Sequence, residues 1–96
     1  MSTKNHTNQM KQLEMKLLAL LEEAVRNNEY VEDEIGEQVA HLHKQWLLCS
    51  NQPYSCPAHR ALVQSYVTDP TLKAHYDQHM EGCANFLKCA VEYHMV

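Results

Sequence analysis

Glycine is scarce in this chain: two residues in 96, beside three prolines. That leaves no loop of the kind that could form an oxyanion hole, because both glycines fall where helix geometry can use them. No run of lysine or arginine occurs and the formal charge is −4 with histidine neutral. The clustered positive surface that phosphate recognition needs is therefore missing, which argues against free-standing DNA or RNA binding. No segment approaches the ~20 apolar residues of a membrane span, and the polar start, Met1 to Gln12, offers no apolar stretch for a signal peptide. A cytoplasmic protein is expected, and in a reducing compartment the four cysteines (49, 56, 83 and 89) read as thiols. Strand-like alternation, internal repeats and low-complexity tracts are absent too.

What is present points to helices. Hydrophobic residues make up 45% of the chain, enough for one domain of residues 1–96 that buries roughly two-thirds of its unfolded surface. Met10, Leu13, Leu17, Leu20, Leu21 and Ala24 recur at steps of three and four, a stripe on a helix from about Thr7 to Asn27. Leu18 and Val25 widen it, and Asn27-Asn28 suits a left-handed C-terminal break. Glu29, Glu32, Asp33 and Glu34 favour a second helix start. Ile35, Val39, Leu42 and Trp46 then continue at helical period, with Gly36 explained by close helix packing. Ser50-Asn51-Gln52-Pro53-Tyr54 has loop composition. Ser55 or Cys56 followed by Pro57, and Asp69 followed by Pro70, are helix starts. His59, Leu62, Val63 and Tyr66 share one inner face; Leu72, Tyr76 and His75 another. Gly82 permits a turn into a last helix offering Cys83, Phe86, Leu87, Ala90 and Val91. The fold class is all-α with about five helices, residues 1–30 forming an amphipathic helix with a polar start and 31–96 a helical core.

Seven histidines raise a metal site. A helix-borne zinc pair needs i, i+4 spacing, which His75 and His79 meet and His41 and His43 do not. No Cys-x-x-Cys or second His-x-x-x-His completes a set, so neither metal nor other cofactor is expected, and the imidazoles read as surface and half-buried groups. Cys56 leaves two readings open. It stands at a helix start, where the helix field favours a thiolate that His59, one turn on, could polarise; or it is a plain capping residue. Without an oxyanion loop or a group to orient the histidine, the pair is not expected to make an enzyme. Trp46, Tyr54, Tyr66, Tyr76 and Phe86 divide between core and cleft. Tyrosine and histidine carry polar tips that a dry core must satisfy, and their convergence suits a cleft with a few polar anchors among apolar walls.

From about Glu37 to His94 the chain resembles the TipA-type (TipAS) antibiotic-recognition domain, the effector-binding half of some MerR-like transcription regulators. The resemblance rests on His43 and Trp46 on one helix, Tyr54 ahead of a helix carrying His59, Tyr66 with Asp69, Tyr76 with Asp77, then Gly82 leading to Phe86. It implies a compact globin-like fold without haem that binds chemically diverse, largely hydrophobic antibiotics. Trp46, Tyr54, Cys56, His59, Tyr66 and Tyr76 are then the expected ligand-binding residues, and His43, Asp69 and Gly82 a buried imidazole, a helix cap and a turn. With no winged helix-turn-helix ahead of residue 1, direct nucleic-acid contact is not implied. The function expected is a non-catalytic module that sequesters or senses a hydrophobic drug such as a peptide or macrocyclic antibiotic. The alternative is a protein–protein interaction or dimerisation module, paired through the leucine stripe of the first helix, with Leu17→Glu as the variant that would separate the two.

Overall fold

The computed structural model describes residues 2–50 and 53–96, with side chains from residue 8 onward; the loop positions Asn51 and Gln52 lie outside the described residues. Five α-helices follow one another: α1 (Ser2–Arg26), α2 (Glu34–Cys49), α3 (Cys56–Thr68), α4 (Pro70–Tyr76) and α5 (Cys83–His94). No strand occurs among the described residues. Helix α5 packs against all four others, and its inner face is the most apolar: Cys83, Ala84, Phe86, Leu87, Ala90 and Val91 are all buried.

α1 starts at Ser2 rather than near Thr7, since neither glycine nor proline interrupts the intervening residues. Leu17, Leu21 and Ala24 bury its stripe. Its end is a Schellman motif: Asn28 adopts φ 54°, its N–H donates to Val25 O at 3.1 Å, and Glu29 N–H donates to Ala24 O at 2.9 Å. Asp33 precedes α2 in extended conformation without a side-chain cap bond, and Glu34 and Glu37 supply the negative first turn.

Gly36 corrects one expectation. A β-carbon there would lie 1.8 Å from the carbonyl oxygen of Val31, so the close neighbour is the backbone just ahead of α2 and not another helix. That same carbonyl is hydrogen-bonded to His94 Nε2 at 2.7 Å. The missing side chain lets the α1–α2 connection close down and tie to the end of α5.

The two proline-marked starts form as expected. Ser55 Oγ accepts from Ala58 N–H at 3.2 Å, and Asp69 Oδ1 accepts from Thr71 and Leu72 N–H at 2.9 and 3.3 Å. Gly82, at φ 105°, has no side chain to cap α5. Asp77 does so from a distance, accepting Ala84 N–H at 2.8 Å while Lys73 pairs with its other oxygen at 2.8 Å. Burial opposes ionisation of Asp77, but the Ala84 and Gly82 amides and Lys73 outweigh it and hold the carboxyl below its usual range.

His75 and His79 depart from the sequence reading. α4 ends at Tyr76, so the two never share a helix face, and His75 is exposed, with Nε2 2.7 Å from Glu14 of α1. The helix stops because Asp77 is drawn away to the start of α5. Tyr76 is buried and Leu72 half-buried, as that face requires.

Candidate functional site

His43 follows Val39 and Ala40 by one helical turn on the buried face of α2, and His59 precedes Val63 by one turn on the buried face of α3. Both imidazoles are carried into the core, 0% and 2% exposed. A buried polar ring stabilises nothing unless its nitrogens are paired, and here all of them are. His43 Nδ1 meets His59 Nε2 at 2.7 Å. The far nitrogen of His43 reaches the Tyr66 hydroxyl at 3.1 Å, and that of His59 the Tyr54 hydroxyl at 2.7 Å. The result is a continuous chain, Tyr54–His59–His43–Tyr66, crossing from the α2–α3 connection into the centre of the protein.

Burial, then the neighbouring His59, lowers the pKa of His43 to about 3; burial, then Lys44, lowers that of His59 to about 4. Both rings are neutral at pH 7. Burial, then Cys56, raises Tyr54 to about 12, and burial raises Tyr66 and Tyr76 as well, with Tyr66 adding to the effect on Tyr76. All three hydroxyls therefore keep their protons. Aromatic rings sheathe the chain: Trp46 stacks on His43 with centroids 5.7 Å apart, and Tyr76 stacks on Tyr66 at 4.5 Å.

Beside Tyr54 and His59 opens a cleft of about 280 Å³ between the end of α2 and the start of α3. Leu47, Pro53, Ala58 and Leu62 form its apolar walls, and Tyr54 and His59 bring the outer end of the relay to it. Lys44 Nζ lies over the Tyr54 ring, 5.1 Å from its centre.

Of the six ligand-binding residues expected from sequence, Tyr54 and His59 line the cleft. Cys56 opens α3 close by, half-buried. Trp46, Tyr66 and Tyr76 surround the inner part of the relay. His59 cannot act as base toward Cys56 in this arrangement, because Tyr54 and His43 occupy both of its nitrogens. Leu47 and Ala58 were not singled out by the sequence; each sits one place off its helix's apolar stripe, so periodicity carried no signal for them. His43 was expected as a buried imidazole only, and its partnership with His59 has no signature in spacing. Among the described residues no group of three histidine, cysteine or acidic side chains is placed to hold a metal ion.

The TipAS antibiotic-recognition domain family matches residues 1–94. The chain belongs to that family. The match takes in α1, ahead of the stretch from about Glu37 that carries the resemblance. A TipAS domain is a ligand-recognition unit rather than a catalytic one. No curated protein and no solved structure gives a significant match to the chain. No helix among the described residues is long and apolar enough to cross a membrane.

Proposed function

We propose that this TipAS chain is a non-catalytic recognition module for hydrophobic antibiotics, acting in the cytoplasm to sense or sequester them. The observation that carries this reading is the cleft at the head of α3: apolar walls with a tyrosine and a histidine as convergent polar anchors, in a chain of an antibiotic-recognition family. Binding clefts pair apolar lining with a few fixed polar groups in this way. A volume of about 280 Å³ lies at the small end of such sites, so it suits one ring or side group of a larger antibiotic, the remainder lying over the surface near Cys56, while Trp46 backs the relay. Tyr66 and Tyr76 serve from behind, holding the relay that orients Tyr54 and His59. In a MerR-like context the module would act on transcription through a separate DNA-binding unit.

The experiment is a thermal-shift screen against peptide, macrocyclic and polycyclic antibiotics. A compound at a hundred times its Kd adds about 2.7 kcal/mol, moving the midpoint of a domain this small by roughly ten degrees or more. Stabilisation by one chemical class is the expected result; folded protein that ignores the whole panel at high concentration overturns the proposal.

A second reading, pairing with another copy, has one observation in its favour. Met15 is 64% exposed on α1 and shares a shallow surface hollow with Leu18 and Ala19.

A further inference from the structure

A neutral imidazole carries one N–H and one bare nitrogen. The 2.7 Å contact between His43 Nδ1 and His59 Nε2 holds a single hydrogen: two would clash, and none would set two lone pairs against each other in a dry core. Only two arrangements then satisfy the chain. In one, the Tyr54 hydroxyl donates to His59 Nδ1, His59 Nε2–H donates to His43 Nδ1, and His43 Nε2–H donates to the Tyr66 oxygen. In the other every direction reverses: Tyr66 donates to His43 Nε2, His43 Nδ1–H to His59 Nε2, and His59 Nδ1–H to the Tyr54 oxygen. The two histidines must therefore share a tautomer, both Nε2–H or both Nδ1–H.

The outer end of this chain faces the cleft. In the first arrangement the Tyr54 hydrogen is committed inward and its oxygen can accept from an occupant. In the second the oxygen receives from His59, and the hydroxyl hydrogen turns outward, where it can leave the Cys56 thiol to donate to an occupant. We propose that the relay makes Tyr54 a reversible anchor, offering a donor or an acceptor according to what enters the cleft. The site then takes apolar ring compounds bearing one hydrogen-bonding group of either sense. Both arrangements hold the same hydrogens, so the change is neutral overall: during a local opening that admits water, each imidazole releases one ring hydrogen to water and takes one from water on its other nitrogen. The two hydroxyls turn. Tyr66 can turn without being stranded because the Tyr76 hydroxyl is a second hydrogen-bond partner for it. The inference rests on the cleft being the ligand site.

Uniformly ¹⁵N-labelled protein tests it, since protonated and bare histidine ring nitrogens have well-separated ¹⁵N shifts. Three single-ring or fused-ring probes are added: acetophenone, which only accepts; indole, which only donates; and N-methylindole, which does neither. Binding is read from the backbone amides of Leu47, Ala58 and Leu62. Acetophenone should move His43 and His59 by the same fraction toward Nδ1–H and indole by the same fraction toward Nε2–H, while N-methylindole moves neither; Tyr54→Phe should abolish the responses. Unlike tautomers on the two rings overturn the relay outright. Probes that perturb the cleft amides but leave the imidazoles unchanged overturn the relay and leave the cleft reading standing. If none perturbs those amides at millimolar concentration, the cleft is not the binding site and the inference falls with it.

Discussion

The imidazoles of His43 and His59, sixteen residues apart in the chain, lie within 23° of coplanar with Nδ1 and Nε2 2.7 Å apart. This contact, with that of His43 to Tyr66, ties α2 to α3 through polar groups in the core. Neutral rings are favoured because a charge on either would be desolvated in the core, and a second would also be repelled by the first.

Stability should accordingly depend on pH in a defined window. Both histidines have folded pKa values below the ordinary 6.5, at about 3 and about 4. Above pH 6.5 both folded and unfolded forms are neutral, and the full stability is present. As pH falls through 6.5, the unfolded chain takes up protons that the folded core refuses, so stability drops until the folded rings themselves protonate. Between about pH 6 and 4 stability should fall steeply, the slope approaching about 2.7 kcal/mol per pH unit near pH 5, about 1.4 for each histidine, and easing toward pH 4 as His59 itself protonates. Urea unfolding at half-unit pH steps measures it; a flat profile across that window would mean the rings are not held neutral.

Replacing His43 by phenylalanine keeps much of the volume and removes the pair. It leaves His59 Nε2 and the Tyr66 hydroxyl without their partner in the core. The stranded His59 nitrogen costs about 1–3 kcal/mol and the Tyr66 hydroxyl, which keeps Tyr76 beside it, less, so a loss of roughly 1–4 kcal/mol is expected, together with about half of the pH slope. Denaturant titration of His43→Phe at pH 7 and pH 5 reads both.

Gly36→Ala separates conformational preference from space. On helix propensity alone alanine should stabilise α2 by about 1 kcal/mol. The Val31 carbonyl, 1.8 Å from the new β-carbon, instead forces the α1–α2 connection to move and strains its bond to His94. A net destabilisation of about 1–3 kcal/mol is expected, read as a lower urea midpoint. A gain in stability would mean that the connection relaxes freely.

The helices were legible because their signals are local. Ser55-Cys56-Pro57 and Asp69-Pro70 specify starts through a side-chain oxygen and a missing N–H, and the stripe from Leu17 to Ala24 specifies a buried face. The site was legible in part. Tyr54 and His59 could be singled out as polar tips near a helix start, but nothing in their spacing reveals that His43 completes a chain through His59 to Tyr66. That pairing depends on how α2 and α3 are brought together by α5, a property of the packed core. The end of α4 was hidden for a related reason: Asp77 leaves the helix to cap α5, seven residues away from Ala84, and no periodicity records that pull.

The same difference between stripe and surface changes which variant tests pairing through α1. Leu17 is 1% exposed, so Leu17→Glu buries a carboxylate and should unfold the protein rather than release a monomer. Met15 points outward and can be changed without touching the core. Pairing through this strip predicts a dimer that Met15→Glu converts to a monomer with little change in Tm, followed by sedimentation. A wild type that stays monomeric at all concentrations removes that reading.

Blocking the cleft is the most direct test of the recognition reading, provided the blocking side chain does not disturb the fold. Ala58 meets that condition: it lines the cleft, yet its side chain is exposed on α3 and its part in the helix cap is played by the backbone N–H. Ala58→Trp should fill much of the space between Leu47 and Leu62 while leaving the relay and the core untouched. The expected outcome is an unchanged Tm without ligand and at least a tenfold loss of affinity, about 1.4 kcal/mol, for any compound found in the thermal-shift screen. Tyr66→Ala could not give this answer, because it would break the relay and empty the core together. Undiminished binding by folded Ala58→Trp would place the ligand elsewhere on the protein and detach the cleft from antibiotic recognition.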